Sequence, residues 1–567
     1  MFNQRVFLYL GLAFVLYLIW LTWQKEQAFP PSPQGTPQAQ QAQTPADRSL
    51  DKAQDLPELP ELLEPSGAQP ATVDEPAAPS GELARSQHIH VTTDVLDVLI
   101  DTRGGDIRQL DLPTYPVSLK KQDEAFRLLH SDRRTYIAQS GLRHDRIQGA
   151  PDRSAWAPTH HEIYTPERNR YVLADEQDRM DVKLVWQGQE GIQVEKIFTF
   201  RRDAFVIDVT HRVINRGTDV WIGRQYQQLR HSPIPEDRSW LRLPTYTGTA
   251  YYDGAYHKHS FNDIDDDPFN MEVAGGWTAM LQHYFVSAWI AEAEQVNRFY
   301  SKRVKAPGEH QYLIGMLSPS KTVPAGSQAE FKRRLYAGPK LQRRMEKIAP
   351  GLELSVDYGM FSILSKPLFW LLEWFYKLAG NWGVAIILVT VAVKLVFYKL
   401  SEASYKSMAR MRKIQPRFKA LRERYAKDKQ KMNQAVMEMY KQEKINPLGG
   451  CLPILVQMPV FLALYWVLVE SVELRQAPFI LWIHDLSIRD PIFVLPLLMG
   501  ISMYIQFKLN PTPPDPMQAK VFAMMPFMMT AFMAFFPAGL VLYWLMNNVL
   551  SIAQQYVITK RIEKADY

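Results

Sequence analysis

Residues 387–400 read ILVTVAVKLVFYKL, an apolar stretch that contains Lys394 well before the flanking Lys399. With the apolar residues that precede it, the stretch is typical of the end of a membrane-spanning helix. A charged side chain at the middle of such a helix is disfavoured by about 2.5–3.5 kcal/mol on insertion scales. Lys394 lies about 7.5 Å deeper than Lys399 at ~1.5 Å of rise per residue. Its ammonium group can therefore either snorkel to the membrane surface or belong to a polar site inside the membrane.

Six apolar segments predict six membrane-spanning helices in this chain of 567 residues. The first, at residues 1–23, lacks a small-residue cleavage pattern and is predicted to be a signal anchor that stays in the membrane. The other five belong to a predicted membrane core at residues 381–567. Their predicted limits are about 382–400, 451–469, 491–508, 521–536 and 540–559.

The distribution of positive charge predicts the orientation of these spans. Residues 401–447 contain thirteen Lys or Arg and five acidic residues, whereas residues 470–490 contain two and four. Loops rich in Lys and Arg remain in the cytoplasm. Both chain termini and the basic loop are therefore predicted to be cytoplasmic, and the large middle region is predicted to lie on the periplasmic side of a bacterial inner membrane.

Between the first span and the membrane core, the sequence changes character twice. Residues 24–85 are rich in Pro, Gln and Ala and predict a disordered linker. Residues 86–345 contain short alternating runs broken by turn residues and predict an all-β domain. Residues 346–380 carry Trp370 and Trp374 in an aromatic-rich helix and predict an amphipathic segment at the membrane surface.

The predicted β domain has no recognisable catalytic pattern. His160, His161 and Glu162 are adjacent, but they lack the spacing of a metal site, and no carboxylate pair typical of a carbohydrate enzyme stands out. The sequence therefore predicts no metal, no cofactor and no enzymatic activity. The single cysteine, Cys451, excludes an intramolecular disulfide.

The basic loop, residues 402–447, has apolar residues at helical spacing in two stretches, which predicts a hairpin of two amphipathic helices. Such a basic surface is typical either of helices beside anionic lipid headgroups or of a landing surface for an acidic or RNA-rich partner. A translating ribosome or the signal recognition particle would be such a partner. The residues predicted to form this surface are Arg410, Arg412, Lys413, Arg417, Lys419, Arg422 and Arg424.

Polar residues of three predicted spans fall at a depth similar to that of the lysine. In the last span, Asn547, Ser551 and Gln554 follow i, i+4, i+7 spacing and share one helix face. One amide inside a membrane can simply join two helices by hydrogen bonds. A polar stripe with a lysine predicts a hydrated groove instead, because polar groups in lipid must pair or contact water. The predicted groove residues are Lys394, Thr390, Gln457, Asn547, Ser551 and Gln554.

The span at 521–536 is rich in methionine and includes Met525 and Met528. Methionine side chains are flexible and polarisable. A methionine-rich helix is therefore typical either of an ordinary core or of a surface that accepts varied apolar partners.

Four motifs of the predicted core resemble the YidC/Oxa/Alb family of membrane protein insertases. They are NPLGGCLPILVQMPVFLALYWVL at 446–468, SVELRQAPFILWIHDLSIRDP at 471–491, NPTPPDPMQAK at 510–520 and FPAGLVLYWLMNN at 536–548. The resemblance covers essentially the whole chain, including the signal anchor and the periplasmic domain of Gram-negative members. It implies a five-helix core with a hydrophilic groove, a periplasmic β-supersandwich and a cytoplasmic helical hairpin.

The resemblance also implies a function and its partners. Such proteins integrate newly made inner-membrane proteins, called clients below, into the phospholipid bilayer and help them fold, without nucleotide hydrolysis. They act alone or beside the Sec translocon and its accessory subunits.

For single residues, the resemblance places Lys394 where the family keeps a groove cation that is most familiar as arginine. Lysine keeps the charge but lacks the planar fork of arginine, which leaves the pairing geometry open. Thr390 matches a position of the slide that contacts the client, and Trp544 stands in that slide where tyrosine is familiar. With the methionines, the predicted slide comprises Met458, Phe461, Met525, Met528 and Trp544.

Two other functions remain open from the residues alone. A solute transporter would use the same polar cavity, although the sequence has neither an internal repeat nor a matching pair of broken helices. A membrane-anchored periplasmic carbohydrate-active protein would use the spans only as an anchor, although six spans with a buried cation exceed what an anchor requires.

Overall fold

The computed structural model describes residues 87–565, except for 133, 146–152, 234–244, 307–308, 426–427, 443–451 and 511–515. The signal anchor predicted at residues 1–23 and the linker predicted at 24–85 lie outside these residues. The described residues form twenty β-strands and eleven α-helices, and all but one of these helices follow the last strand.

All of the strands lie between His88 and Pro339. In chain order they are β1 (His88–Thr92), β2 (Asp97–Asp101), β3 (Asp106–Ser118), β4 (Lys121–Leu129), β5 (Tyr136–His144), β6 (Thr165–Pro166), β7 (Arg170–Val172), β8 (Arg179–Gln187), β9 (Ile192–Arg201), β10 (Val206–Asn215), β11 (Trp221–His231), β12 (Gly248–Tyr252), β13 (Tyr256–His259), β14 (Asn270–Ala274), β15 (Trp277–Leu281), β16 (Phe285–Ile290), β17 (Val296–Ala306), β18 (Glu309–Leu317), β19 (Lys321–Val323) and β20 (Gln328–Pro339).

These strands form two sheets. The first has eleven strands in the order β14-β17-β18-β11-β5-β3-β2-β1-β7, with β19 paired to β11 and β4 paired to β3. The second has nine strands in the order β13-β12-β15-β16-β20-β10-β9-β8-β6. Antiparallel pairs far apart in sequence build both sheets, such as β10 with β20, and β1 with β7 is a parallel pair.

The alternation of apolar residues explains how the sheets pack. In β10, Ile207, Val209 and Val213 are buried, and each is followed by a partly exposed residue. Because successive side chains of a strand point to opposite faces, one face of β10 packs into the core. The predicted all-β domain is confirmed as a sandwich of two sheets.

Ten of the helices follow the sandwich and form a helical region. The eleven helices are α1 (Phe261–Asp266), α2 (Gln342–Ile348), α3 (Ser362–Ala379), α4 (Trp382–Val396), α5 (Tyr398–Lys413), α6 (Gln415–Arg424), α7 (Lys429–Gln442), α8 (Leu452–Glu470), α9 (Val494–Leu509), α10 (Pro516–Met533) and α11 (Ala538–Ala565). Most of the buried apolar residues of this region belong to one cluster with those of the sandwich.

The start of α4 is defined by two adjacent residues. Gly380 ends α3 with a left-handed φ of 65°, a conformation that glycine adopts without steric cost. The Asn381 side chain then accepts a hydrogen bond of 3.1 Å from the Val384 N–H and caps α4. This reversal sets the direction of the helix that carries Lys394.

Within the described residues, no single helix is both long and apolar enough to cross a membrane by itself. One pair of consecutive helices, α4 and α5, meets both conditions together and is bent by 68°. Shorter apolar helices occur at Gln457–Glu470, Val494–Leu509 and Ala519–Met533.

The bend between α4 and α5 falls within the segment predicted as one span, about 382–400. The helix ends at Val396, and the chain continues in a new direction from Tyr398. The break lies at Phe397, whose φ of −92° and ψ of 14° differ from those of a continuing α-helix.

The basic loop also differs in detail from the predicted pair of helices. Its first arm is two helices, α5 and α6, which meet at Ile414. Pro416 follows within the first turn of α6, where its missing N–H costs no hydrogen bond. Ile414 and Met439 are buried together, so the first arm packs against α7 through a small apolar cluster.

Candidate functional site

Four of the six predicted groove residues form a connected polar network across α4, α8 and α11. The Lys394 ammonium donates to Ser551 Oγ at 2.7 Å and to Gln457 Oε1 at 3.4 Å. The Gln457 amide donates in turn to Asn547 Oδ1. Ser551 completes the network by donating to the Asn547 carbonyl at 2.7 Å. The spacing of Asn547 and Ser551 by one helical turn is what allows both to reach the same neighbours.

The network carries the positive charge of Lys394. Only 6% of Lys394 is exposed. The described residues give its ammonium two neutral acceptors and no ion pair. The position of Lys394 in the last turn of α4 offers partial compensation, because the carbonyl end of a helix dipole favours a cation. A buried cation held by neutral groups retains a strong attraction for an anion.

The other two predicted groove residues stay outside the network. Thr390 is buried, and its hydroxyl donates to the Ile386 carbonyl of its own helix at 2.7 Å. Gln554 Oε1 is buried and has no hydrogen-bond partner among the described residues.

Sequence reasoning missed a second polar contact between α9 and α11. Asn548 donates to Ser502 Oγ at 3.1 Å, and both side chains are buried. Gln555 of α11 likewise donates to the Leu509 carbonyl at the end of α9, at 3.1 Å. The available signal was Ser502 itself, a small hydroxyl side chain in a mostly apolar helix, which favours a partner on a neighbouring helix.

The predicted slide residues comprise an aromatic pair and three exposed methionines. Phe461 of α8 packs edge-on against Trp544 of α11, with ring centroids 4.6 Å apart. Met458 is 44% exposed, and Met525 and Met528 of α10 are 41% and 62% exposed. Exposed apolar side chains in such number are typical of a surface that contacts lipid or an apolar partner.

The predicted basic surface lies on α5 and α6. Arg412 also donates to the Lys508 carbonyl at the end of α9, at 3.2 Å. The side chains of Lys419 and Arg422 are outside the described part of the structure. The described residues of this surface, all exposed, are Arg410, Arg412, Lys413, Arg417 and Arg424.

Within the described part of the chain, the surroundings of the adjacent histidines His160 and His161 are not those of a metal site. Among the described residues, no three His, Cys, Asp or Glu side chains are grouped as a metal site would require. His160 is buried, and its Nδ1 lies 2.6 Å from the Tyr226 hydroxyl. Burial lowers the pKa of His160 to about 3, so this ring is neutral.

The described residues define a class of protein in which a two-sheet β domain is followed by a helical region with a buried cationic network. Comparison with known families makes this class specific. Residues 88–371 match the family model of the YidC periplasmic domain, and residues 374–565 match that of the 60Kd inner membrane protein. The chain is therefore an inner-membrane protein with a periplasmic β domain.

Full-length relatives then define the family. The chain is 51% identical to a membrane protein insertase YidC of Thioalkalivibrio sulfidiphilus and 47% identical to one of Methylococcus capsulatus, with 99% of each chain covered in both cases. An active YidC insertase crystal structure is 17% identical, with 83% of this chain and 92% of that chain covered and a TM-score of 0.37. This chain belongs to the YidC family of membrane protein insertases.

Membership of this family confirms the resemblance seen in the sequence motifs. The chain is a membrane protein insertase and not an enzyme, and it acts on inner-membrane proteins in the lipid bilayer. The comparisons do not favour a solute transporter or a carbohydrate-active protein.

Proposed function

We propose that Lys394 receives the acidic tail of a client during insertion. The observation that supports this role is the set of partners of the ammonium, which comprises two neutral acceptors among the described residues. A client carboxylate would supply the missing negative charge. Two unit charges 4 Å apart attract by about 4 kcal/mol at an effective dielectric constant of 20, before desolvation is subtracted.

The network around Lys394 would also guide the exchange of partners. Ser551 and Gln457 hold the ammonium by hydrogen bonds in which only the donor is charged, and each is weaker than an ion pair with a carboxylate. An arriving carboxylate can therefore replace them, and their polar groups can then bind the polar residues of the tail. The tail would cross only the outer half of the bilayer, which lowers the electrostatic barrier without nucleotide hydrolysis.

The apolar segment of the client would move along the slide into lipid. Support comes from the exposed methionines Met525 and Met528 and from the aromatic pair of Phe461 and Trp544. Flexible methionine side chains adapt to clients of different shape. Burial of about 20 apolar residues in the bilayer would supply the driving force.

The proposed topology keeps six spans, with both termini in the cytoplasm and the β domain in the periplasm. The proposed divisions remain a signal anchor at 1–23, a linker at 24–85, the β domain at 86–345, an interfacial helix at 346–380 and the membrane core at 381–567. The exposed basic residues of α5 and α6 would bind a translating ribosome or the signal recognition particle, and the core would also act beside the Sec translocon.

The test is insertion into proteoliposomes that contain only this purified protein. The readout is protease protection of the translocated acidic tail of a small client. Lys394→Leu should lose most of the protection, whereas Lys394→Arg should keep it because the charge remains. Lys399→Leu is the matched control, since this lysine is exposed five residues further along the chain. Equal protection by the wild type and Lys394→Leu would refute the electrostatic role.

A further inference from the structure

A cavity of about 100 Å³ lies between the β sandwich and the end of α8. Four charged side chains line it, namely Lys258 and Lys340 from the sandwich, Asp357 from the segment before α3, and Glu470 from the last turn of α8. Two positive and two negative charges balance one another. A polar cavity of this volume has room for several water molecules, since one water requires about 10–15 Å³.

Lys340 and Glu470 are the most deeply buried of the four charged residues. Lys340 is 3% exposed and Glu470 is 5% exposed. Burial lowers the pKa of Lys340 to about 8, and the nearby Glu470 carboxylate is the main influence in the opposite direction. Lys258 pairs directly with Asp357. Lys340 and Glu470 therefore bring opposite charges to the same cavity from different parts of the chain.

Further polar contacts surround the same junction. His283 donates from Nε2 to the Val469 carbonyl at 3.0 Å. Arg475, just after α8, donates to the Pro116 carbonyl at 2.7 Å. Its guanidinium carbon also lies 5.7 Å from the Phe126 ring and 5.6 Å from the Phe285 ring. The sandwich thus holds the end of α8 through contacts on both sides of Glu470.

We propose that Lys340 and Glu470 are positioning residues, which fix α8 to the β sandwich across a hydrated cavity and so keep Gln457 and Phe461 in place. Gln457 lies thirteen residues before Glu470 on the same helix, a separation of about 20 Å at 1.5 Å per residue. A shift at one end of a helix is transmitted along its length. This role rests on the proposed groove, because Gln457 acts there through Lys394.

The experiment uses the full-length protein in proteoliposomes and compares Lys340→Met, Glu470→Gln and the exchanged pair Lys340→Glu/Glu470→Lys. The matched control is Lys347→Met, which replaces an exposed lysine of α2. One readout is hydrogen exchange at the amides of residues 467–471, and the other is protease protection of an inserted client tail.

Each single replacement leaves the four cavity charges unbalanced by one and should speed amide exchange about tenfold or more. We expect insertion to fall about tenfold in the same variants, and we expect the exchanged pair to restore both readouts. Restoration by the exchanged pair would also show that position 340 tolerates replacement. The proposal therefore remains testable even if one single variant misfolds.

Three results would overturn the proposal. Unchanged amide exchange in both single variants would show that the pair does not hold α8. Faster exchange with normal insertion would show that the joint has no role in positioning the groove. A folded exchanged pair that restores neither readout would exclude the charges as the cause. If only the proposed groove mechanism is wrong, the single variants should still show faster amide exchange at residues 467–471. The two proposals can therefore fail independently.

Discussion

Mild acid should weaken the β sandwich, because three of its histidines are buried in the neutral form. His160, His211 and His231 are each at most 4% exposed. Burial lowers the pKa of His160 to about 3 and that of His231 to about 4, and it lowers the pKa of His211 well below the ordinary value. An imidazole in the unfolded chain has a pKa of about 6.5.

The sign of the effect follows from proton binding. Below pH 6.5 the unfolded chain binds protons that the folded histidines do not, so the free energy of unfolding falls as the pH falls. Each histidine contributes at most about 1.4 kcal/mol per pH unit in this range. Between pH 6.5 and pH 5, the three together remove about 5 kcal/mol, a large part of the stability of an ordinary domain.

One carboxyl group acts in the opposite direction. Burial raises the pKa of Asp106 to about 6, above its unfolded value. As the pH falls from 6.5, Asp106 therefore binds a proton in the folded protein before it does so in the unfolded chain. This difference restores about 1 kcal/mol of the free energy of unfolding by pH 5. The expected net loss over this interval is about 4 kcal/mol.

The assay follows peroxide oxidation of Met280 and Met316, which are buried in the sandwich, across a urea series by mass spectrometry. The diagnostic variant is His211→Asn. Gln225 donates to His211 Nδ1 at 2.8 Å, and an asparagine oxygen can accept the same bond without titrating. We expect this variant to remove about 1.6 kcal/mol of the loss between pH 6.5 and pH 5. His310→Asn, at an exposed site, is the control.

A urea midpoint that stays constant between pH 6.5 and pH 5 would refute the reasoning. An unchanged pH slope in His211→Asn would refute the assignment to buried histidines even if the domain is labile to acid.

Three further predictions concern the helical region. Gly500→Ala should destabilise the contact between α9 and α10 by about 1–3 kcal/mol, because its new Cβ would collide with Thr530 Oγ1; Thr530→Ala should relieve most of this loss in a thermal-unfolding series. Replacing the acids of the client tail by amides should slow insertion by the wild type and leave insertion by Lys394→Leu unchanged, which a double-mutant cycle measures. The double replacement of Arg410 and Arg417 by Gln should reduce the salt dependence of ribosome binding by a slope of about 1–2, measured by sedimentation at increasing salt; an unchanged slope would exclude these side chains as phosphate contacts.

The sequence allowed the β sandwich and much of the polar network to be predicted, because both depend on local periodicity. Alternation in β10 indicates a half-buried strand, and the one-turn spacing of Asn547 and Ser551 places both on one helix face. Nothing local indicates that β10 pairs with β20 over a separation of more than a hundred residues, because that pairing depends on the whole sheet. The contact between Asn548 and Ser502 was missed for the same reason, since it depends on which helices become neighbours.

The use of lysine rather than arginine at position 394 has a physical consequence for the proposed mechanism. Arginine binds a carboxylate through a planar fork, which favours one geometry, whereas an ammonium is a point charge with rotatable donors. Ser551 and Gln457 satisfy that ammonium from two helices without supplying a charge. Attraction at this site therefore depends on the charge of an arriving tail and little on its orientation. A site of this kind suits an insertase whose clients share an acidic tail but no common structure, and it explains why Lys394→Arg is expected to keep activity while Lys394→Leu is not.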